Sequence, residues 1–444
     1  MAGWVLEGRP RSVLDPAVGD GVLVRELMRL RARRGERGPL RLDVFDVDGA
    51  VLSEFVDGIS RKGIRHRCAD FVTTRLDRCF DGIIANPPYV RHHGLLYSEA
   101  VYRQYEAICG RRLRRTVNLY GLFLLKLGSL LSARGRAAVI LPCEWLNAEF
   151  GAAIKAHLLE SNLLDAIVQF DPTMRVFGDA LTTACIVLLR RGRGPDEGVR
   201  LVGVGGAADL ETMSAAGSAV FRRCDLDSNE KWSCLFDGGS QAPSAGLVLG
   251  GVASCRRGIA TGANDYFTFS ESARCRWRID ERDVAPCVTR ARHVRGDRFT
   301  SRQWRQLRDA DEPVWLLSPR PRLSAAVRRY LDEGVRRKID RRYLPAHRPV
   351  WYRPEARPPA PILVTVFARE GFRFVRNEAG VLNLTAFHGV YPRRATGVAL
   401  ERLHGALCRA VAGDGIARQR RVYGGGLYKL EPRDVERLRI EWSD

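Results

Sequence analysis

The residues of this chain best suited to chemistry form one short stretch, Asn86-Pro87-Pro88-Tyr89, directly after the apolar run Ile83-Ile84-Ala85. Proline cannot donate a ladder hydrogen bond and restricts its own backbone, so the pattern predicts a strand that ends abruptly in a rigid loop. Loops at the carboxyl ends of parallel strands are where open sheets bind ligands, and this loop carries an amide and a phenol. The alternative is a proline-stiffened turn whose asparagine only caps the backbone.

A second candidate site lies in residues 11–24, which predict a short strand, a glycine turn and a helix. This order opens a nucleotide-binding α/β unit, in which glycines let the backbone approach a ligand closely. Here the turn also carries two carboxylates, Asp15 and Asp20, which would repel a phosphate. The pattern therefore disfavours a dinucleotide and favours a cationic or phosphate-free ligand such as S-adenosylmethionine.

Two further predicted strands end in acidic side chains. Residues 40–47 form the next predicted strand, and Asp46 near its end is placed to accept both hydroxyls of a ribose. In the following segment, Asp70 could accept the adenine amino group while Phe71 packs on the ring face. Each acidic residue alone is more typical of a solvated strand end than of a ligand site. Three of them in succession before the Asn86 loop favour a single ligand site.

Composition describes a globular protein of two domains. The chain has 444 residues, a hydrophobic content of 45% and a mean hydropathy of −0.20. No run approaches the roughly 18 apolar residues that a membrane-spanning helix needs, and the N-terminus lacks a signal-peptide pattern. We therefore expect a cytoplasmic protein without a membrane partner. The 11 cysteines include no C-x-x-C pair or zinc-site spacing, so we expect free thiols and no metal.

The positive charge is concentrated in the second half of the chain. The formal net charge is +21, of which residues 251–444 contribute +17, with 39 Lys/Arg against 22 Asp/Glu. A solvated basic surface in an arginine-rich proteome would explain part of this asymmetry. The sharper interpretation is that the second half contacts a polyanion, with nucleic acid as the first candidate.

The order of these motifs resembles the amino-group DNA methyltransferases of the gamma arrangement, in particular the TaqI-type N6-adenine enzymes. The resemblance covers roughly residues 11–190 and rests on these segments: Asp15-Pro16-Ala17, Asn86-Pro87-Pro88-Tyr89, Asn118-Leu119-Tyr120-Gly121-Leu122-Phe123, residues 138–146, Met174-Arg175-Val176-Phe177 and residues 183–189. It implies an α/β fold: a class I methyltransferase domain with a Rossmann-like, doubly wound, mostly parallel sheet, followed by a mixed α/β target-recognition domain. We place the catalytic domain at 1–225, a linker at 226–250 and the basic DNA-recognition domain at 251–444.

The resemblance also implies roles for individual residues. The Asn86 side-chain oxygen and the Pro87 carbonyl would accept the two amino hydrogens of a flipped-out adenine, in a loop stiffened by Pro88. Tyr89 and Phe177 would stack on the two faces of that base, although Phe170 lies close to Phe177 in sequence. The cofactor S-adenosylmethionine would be held by the following residues: Asp15, Pro16, Ala17, Gly19, Gly21, Asp46, Asp70, Phe71 and Phe123. Phe123 is equally compatible with a core aromatic, and Asn118 could cap the helix that carries it.

In the second half, residues 257–267 look like the start of the target-recognition domain, and residues 420–432 resemble its closing segment. Arginine suits both phosphate binding and guanine recognition, and a glycine triplet lets main-chain amides approach a nucleic-acid backbone. We expect double-stranded DNA to contact these residues: Arg257, Arg292, Arg421, Tyr423, Gly424, Gly425 and Lys429. Further arginines crowd residues 290–298 and 336–342. A cognate restriction endonuclease or defence-system subunit is a second expected partner.

Two alternative functions stay open, and one further motif is misleading. The tetrapeptide also occurs in release-factor glutamine methyltransferases, but those lack a long basic second domain. A DNA-binding specificity protein with an inactive methyltransferase fold is another candidate, because only about ten residues precede the first predicted strand, where the family has a segment closing over the cofactor. Pro142-Cys143 and Pro286-Cys287 look like the nucleophile of cytosine carbon-5 methyltransferases. Cys143, however, falls in a strand-end loop, so we expect an ordinary pocket wall.

Overall fold

The computed structural model describes residues 1–59, 63–171, 183–205, 218–237, 246–369, 371–393, 397–412, 416, 421–423 and 427–441. The chain divides into two compact units, one comprising residues 1–242 and 422–426 and the other residues 243–421 and 427–444. The predicted limits of 225 and 251 remain predictions. Within the predicted linker, Leu226 and Trp232 are buried in the hydrophobic core of the first unit.

The first unit is built on a nine-stranded sheet in the order β3-β2-β1-β4-β5-β7-β6-β8-β9. The strands are β1 (Ser12–Asp15), β2 (Arg41–Asp46), β3 (Ile64–Cys68), β4 (Phe80–Ala85), β5 (Leu131–Pro142), β6 (Leu164–Phe170), β7 (Ala184–Arg190), β8 (Val199–Val204) and β9 (Ser218–Phe221). Strands β1 to β5 pair in parallel, whereas β7 is antiparallel to both of its neighbours. Every residue of β1 and β6 is buried, as expected for strands covered on both faces.

Helices cover the two faces of this sheet. They are α1 (Ala2–Glu7), α2 (Val22–Arg33), α3 (Gly49–Asp57), α4 (Glu99–Cys109), α5 (Leu119–Ser129) and α6 (Gly151–Glu160). Residues of α1, α2 and α3 pack in one hydrophobic cluster with Val13 and Val44, and residues of α4, α5 and α6 pack in another with Leu14 and Ile83. Adjacent strand residues point to opposite faces, so the sheet has a helical layer on each side. This confirms the predicted doubly wound, mostly parallel fold.

The second unit is mixed α/β, as predicted. The strands after residue 245 are β10 (Leu247–Val248), β11 (Ala253–Arg257), β12 (Thr268–Phe269), β13 (Val284–Val288), β14 (Arg298–Phe299), β15 (Trp315–Leu317), β16 (Ile362–Thr365), β17 (Phe367–Ala368), β18 (Phe374–Asn377), β19 (Leu382–Asn383), β20 (Phe387–Pro392), β21 (Arg421–Tyr423), β22 (Leu427–Lys429) and β23 (Arg439–Ile440). A five-stranded sheet has the order β11-β20-β16-β18-β14, and a four-stranded sheet the order β12-β15-β13-β19.

The helices of the second unit are mostly short. They are α7 (Asn264–Phe267), α8 (Glu271–Arg276), α9 (Ser301–Asp309), α10 (Ala325–Arg336), α11 (Tyr343–Ala346), α12 (Gly397–Ala412) and α13 (Pro432–Glu436). Helix α9 begins with a capping box between Thr300 and Gln303, which satisfies backbone donors at its start. An aromatic cluster with stacked Tyr266 and Tyr330 lies in one of its cores. No helix among the described residues is both long and apolar enough to cross a membrane.

Candidate active site

Parallel pairing brings the predicted site residues of the first unit to one edge of the sheet. Strand β1 lies between β2 and β4, with Asp15 in register with Val44 and Leu14 with Ile83. Strand β3 pairs on the other side of β2, where Asp46 is in register with Cys68. Asp15, Asp46, Asp70 and Asn86 therefore all follow or close strands that end at the same edge. This edge is where open α/β sheets place their ligands.

The glycine turn after β1 is joined to the end of β2 by hydrogen bonds. The amide nitrogen of Gly19 donates to Asp46 Oδ2 at 3.0 Å, and that of Ala17 donates to Asp15 Oδ1 at 3.2 Å. Pro16, in the same turn, is buried. Gly21 adopts a φ of +76°, and a Cβ atom there would lie 2.2 Å from the Phe55 ring. Glycine is therefore required at this position for both conformation and space.

The carboxyl group of Asp15 is fully buried and only half satisfied. Its Oδ2 atom has no hydrogen-bond partner among the described residues, and the side chain is 1% exposed. Burial raises the pKa of Asp15 from 3.8 to about 7; the Asp46 charge adds to this rise, and the Ala17 amide opposes it. An unpartnered buried carboxylate oxygen beside a glycine turn fits a ligand that is cationic or donates a hydrogen bond.

Asp46 and Asp70 use only part of their acceptor capacity. Asp46 is half-buried, and its two oxygens accept the amides of Gly19 and Asp48 at 3.0 Å each. Asp70 accepts the Val72 amide at 2.8 Å. Burial raises the pKa of Tyr97, and the charge of Asp70 and its hydrogen bond with the tyrosine raise it further. Each carboxylate oxygen has two lone pairs, so both residues can still accept from a ligand. The tyrosine partner was not expected from sequence.

The two predicted cofactor-lining aromatics lie side by side in the core. The rings of Phe71 and Phe123 are 5.0 Å apart with an interplanar angle of 40°, and Phe45 packs edge-on against Phe71. Phe71 is 1% exposed and Phe123 is 4% exposed. Phe71 directly follows Asp70 in the chain, and its ring contacts that of Phe123. Their contact with a ligand remains a prediction.

A buried lysine that the sequence analysis did not single out supports the same loop. Lys126 on α5 donates to the carbonyl oxygens of Phe71, Val72 and Thr74, and its ammonium lies 4.5 Å from the centre of the Phe71 ring. Burial lowers the Lys126 pKa to about 8, against the attraction of Asp70. The available sequence signal was a lone lysine inside an otherwise apolar helix. Such a lysine needs internal partners, and here they are main-chain carbonyls.

In the loop after β4, Pro87 is buried, whereas Asn86, Pro88 and Tyr89 are exposed. The Tyr89 hydroxyl donates to Asn86 Oδ1 at 3.0 Å. The side-chain oxygen predicted to receive a substrate amino group is therefore already hydrogen-bonded within its own loop. An incoming donor must share or replace that bond, and the exposed loop leaves room for the exchange.

Asn118 stands at the N-cap position of α5, but its side chain makes no capping hydrogen bond. The predicted capping role is therefore wrong. Instead, Asn118 Oδ1 accepts the His92 amide at 3.2 Å, while Nδ2 donates to Glu144 Oε2 at 3.0 Å and to the Tyr120 hydroxyl at 3.2 Å. Asn118 thus bonds to His92 and Glu144, which are distant in sequence, and not to the backbone amides at the start of its own helix.

The remaining first-unit predictions concern Phe177 and Cys143. Phe177 lies outside the described residues. Cys143 is buried, its amide donates to the Thr183 carbonyl at 2.9 Å, and burial together with Cys185 raises its pKa well above the usual range. Burial also raises the pKa of the Cys287 thiol. Protonated, buried thiols are poor nucleophiles, which agrees with the expected pocket-wall role of Cys143.

The predicted DNA-binding residues of the second half differ in how far their charge is already paired. Arg257 is exposed at the end of β11. Arg292 forms an ion pair with Glu312 at 3.0 Å, and Lys429 forms one with Glu431 at 2.5 Å. For Arg421 and Tyr423 only the backbone, in β21, is described. Gly424 and Gly425 lie outside the described residues.

A more open basic surface follows helix α10, which we call the basic turn: residues 336–343, all exposed except Ile339 and Asp340. Lys338 and Arg341 form no ion pair within the described part of the chain. Arg337 and Arg342 approach Asp265 only at 3.8 and 3.6 Å. Tyr343 is 76% exposed, an unusual position for a large aromatic side chain.

One side-chain cluster of the second unit has metal-ligand chemistry. The potential ligand atoms of Asp297, His404 and Cys408 lie within 4.8 Å of one another, and the last two are one turn apart on α12. His404 Nε2, however, is 3.1 Å from the carbonyl oxygen of Phe374. The charges of Arg298 and Arg409 also act on the Cys408 thiol. An internal hydrogen bond and neighbouring cations explain this cluster without an ion, so we assign it no metal.

Comparisons with known proteins match both halves of the chain. A family model described as Eco57I restriction-modification methylase matches residues 57–177, and one described as Type II methyltransferase M.Eco57I, C-terminal domain, matches residues 243–443. The chain is 31% identical over 453 residues to Type II methyltransferase M.AccI of Acinetobacter calcoaceticus, covering 98% of this chain and 82% of that protein. It is 28% identical over 459 residues to Type II methyltransferase M.XamI of Xanthomonas campestris pv. amaranthicola, covering 99% and 82%.

Among solved structures, the Type IIL restriction-modification enzyme MmeI in complex with DNA resembles this fold with a TM-score of 0.57. The sequence identity is 13%, and the match covers 88% of this chain and 57% of that one. This likeness concerns the fold, and the chain spans just over half of MmeI. The sequence relationship to M.AccI extends along nearly the whole chain and shows the family. The chain therefore belongs to the Type II DNA methyltransferases of restriction-modification systems.

Proposed function

We propose that this protein is a site-specific DNA methyltransferase that transfers the methyl group of S-adenosylmethionine to the N6 amino group of a flipped-out adenine. The observation that carries the proposal is the meeting of Asp15, Asp46, Asp70 and the Asn86 loop at one sheet edge. The cofactor would be held on the β1 to β3 side of this edge and the base on the β4 side. Adenine, rather than the cytosine amino group, is assigned from the resemblance to the gamma-arrangement, TaqI-type enzymes.

At the cofactor end, the fit rests on the unpartnered Oδ2 atom of Asp15. S-adenosylmethionine supplies an electrophilic methyl group and carries positive charge, which favours the ionised form of a carboxyl group whose pKa is about 7. The glycine turn from Gly19 to Gly21 lets the backbone approach this ligand. Asp46 would accept the ribose hydroxyls and Asp70 the adenine amino group, with Phe71 and Phe123 beside the ring.

At the base end, the chemistry requires an amino nitrogen whose lone pair is directed at the methyl group. An adenine amino group is a weak nucleophile because its lone pair is delocalised into the ring. Acceptance of its two hydrogens by Asn86 Oδ1 and the Pro87 carbonyl would make the nitrogen more tetrahedral. Tyr89 would stack on one face of the base, with Phe177 as the predicted partner on the other. The arriving amino group would replace the Tyr89 hydroxyl at Asn86.

The DNA partner is proposed from charge. Residues 251–444 carry a net charge of +17, and arginines suit phosphate contacts. We propose that Arg257 and the basic turn supply such contacts. Arg292 and Lys429 offer less charge to DNA because each is paired with a glutamate. A cognate nuclease or defence-system subunit, acting on the unmodified sequence, would complete a restriction-modification pair.

The decisive experiment uses radiolabelled S-adenosylmethionine with unmethylated plasmid DNA, followed by nucleoside analysis of the digest. Labelled N6-methyldeoxyadenosine supports the proposal, whereas N4-methyldeoxycytidine would correct the acceptor. In a parallel reaction with purified release factor in place of DNA, labelling of the release factor would indicate the glutamine methyltransferase alternative. Salt-sensitive DNA binding without transfer would indicate an inactive specificity protein. Isothermal titration with S-adenosylmethionine tests the cofactor separately, and no heat at millimolar ligand would contradict that part.

A further inference from the structure

The side chain of Asn118 connects the end of strand β5 to the segment that continues the loop after β4, which we call the acceptor loop (residues 86–89). Asn118 is 3% exposed and makes three hydrogen bonds: from the His92 amide, to Glu144 and to the Tyr120 hydroxyl. The orientation of its amide group follows from these partners. An amide N–H can only donate and an ionised carboxylate can only accept, so the oxygen must face His92 and the nitrogen Glu144.

The segment that Asn118 holds continues the acceptor loop. Beside the bond to His92, the Leu119 amide donates to the Val90 carbonyl at 3.1 Å. The start of α5 therefore fixes the chain at two points immediately after Tyr89. Between that anchor and the end of β4 lie Pro87 and Pro88, whose backbone angles are restricted. Anchoring Val90 and His92 thus limits where Asn86 and Tyr89 can lie.

The opposite end of the network belongs to the adjacent strand. Glu144 lies in the 3₁₀ turn Cys143–Leu146 that follows β5, and β5 pairs in parallel with β4 through Ala85 and Val139. Asn118 therefore connects the carboxyl ends of two neighbouring strands. Only a group that accepts on one side and donates on the other can make this connection, which is a property of an amide and not of a carboxylate.

We propose that Asn118 is a positioning residue for methyl transfer, and that its amide holds the acceptor loop at catalytic geometry by joining His92 to Glu144. This proposal rests on the proposed function and adds a residue that touches neither cofactor nor base. Displacement of a reacting group by about 1 Å can cost about a hundredfold in rate, so loss of the connection should appear in kcat.

In this network Asn118 donates a hydrogen bond and Glu144 accepts it. Exchanging the amide and the carboxylate between the two positions therefore tests the proposal. In Asn118→Asp, the carboxylate still accepts from His92 but meets the carboxylate of Glu144 without a hydrogen to share, so the two repel. In Glu144→Gln, the Asn118 amide still finds an oxygen to donate to. In the double variant Asn118→Asp with Glu144→Gln, the new amide donates to the new carboxylate, and the connection is restored with its polarity reversed.

We would measure methyl transfer to plasmid DNA at saturating S-adenosylmethionine for the wild type and these three variants. The expected kcat falls about ten- to a hundredfold in Asn118→Asp, stays within about threefold in Glu144→Gln, and returns to within about threefold in the double variant. Isothermal titration should give a nearly unchanged Kd for S-adenosylmethionine in all four proteins, and their melting temperatures should agree within a few degrees.

Three outcomes would overturn the proposal: an unchanged kcat in Asn118→Asp, no recovery in the double variant, or losses of kcat that only follow losses of melting temperature and cofactor affinity. The last result would indicate a role in stability alone. If the wild-type protein transfers no methyl group, the proposed function fails, and this proposal fails with it. If the wild type is active and the exchange does not restore kcat, only the role of Asn118 fails.

Discussion

The two units of this protein arrange their functional side chains in different ways. In the first, carboxylates and an amide that are far apart in sequence meet at one edge of a parallel sheet. In the second, arginines and lysines are scattered, and several are neutralised by neighbouring acidic groups. Parallel strands end at the same edge of a sheet, so the topology alone brings their last residues together. The positive charge that a surface can offer to DNA depends instead on which side chains form ion pairs within the protein. The first arrangement can be anticipated from strand ends, and the second cannot.

The largest effect is expected at the sheet edge. Asn86→Ala removes the proposed acceptor of the amino group, so methyl transfer should fall by about a hundred- to a thousandfold or more, with cofactor affinity nearly unchanged. Tyr89→Phe is the matched control, since it keeps the ring and loses only the hydroxyl bonded to Asn86, and should change the rate by no more than about threefold. Transfer assays and isothermal titration measure both quantities. Equal loss of transfer and cofactor binding in Asn86→Ala would show that the loop is structural.

Asp15→Asn tests the buried carboxyl group. The folded-state pKa of about 7 lies above the usual 3.8, so the wild type keeps this contribution to stability below pH 4 and loses it as pH rises towards 7. The lost contribution is about 4 kcal/mol at most. Without cofactor, Asp15→Asn should therefore gain stability relative to the wild type over this interval, as measured by urea unfolding at several pH values.

The same variant should bind S-adenosylmethionine at least about tenfold more weakly, because it loses a charge-assisted contact. Asp20→Asn is its control: Asp20 lies in the same turn but is exposed, and its carboxylate accepts the Val22 amide. A pH-independent difference between Asp15→Asn and wild type would contradict a raised pKa at Asp15. Unchanged cofactor affinity would exclude Asp15 from the binding site.

In the second unit, combined Lys338→Ala and Arg341→Ala substitutions should weaken DNA binding by about tenfold near 0.1 M salt. Both side chains lack an ion-pair partner in the described residues, so their full charge is open to phosphate. The slope of log Kd against log salt concentration should fall by about 2. Fluorescence anisotropy with a labelled duplex across a salt series measures both, and an unchanged slope would place the DNA elsewhere.

The smallest effect is expected for Arg292→Ala, at no more than about threefold in DNA affinity. Its guanidinium already pairs with Glu312, and in the variant that glutamate would keep its contacts with Arg290 and His293. The same anisotropy series provides the comparison. A loss of DNA affinity as large as that of the variant lacking Lys338 and Arg341 would contradict this prediction. It would mean that an ion pair within the protein does not prevent an arginine from binding DNA.

Sequence patterns predicted the sheet, the glycine turn and the position of Asp15, Asp46 and Asn86 at the sheet edge. They could do so because strand periodicity, and the glycines and prolines that interrupt regular secondary structure, are local signals. They were wrong about Asn118, whose side chain leaves the helix end for His92 and Glu144. They also gave no partner for Lys126, which reaches three carbonyls more than 50 residues away. The boundaries at 225 and 251 and the role of Phe177 remain predictions.

By itself, the sequence determined the kind of fold, the order of acidic strand ends and the basic character of the second half. These properties reside in residue spacing and composition, which do not depend on how distant segments meet. Only the tertiary structure decided the raised pKa of Asp15, the amide network of Asn118 and which of Arg292 and Arg341 is already paired. Each of these depends on desolvation or hydrogen bonding by residues from other parts of the chain, and these act only once the chain is folded.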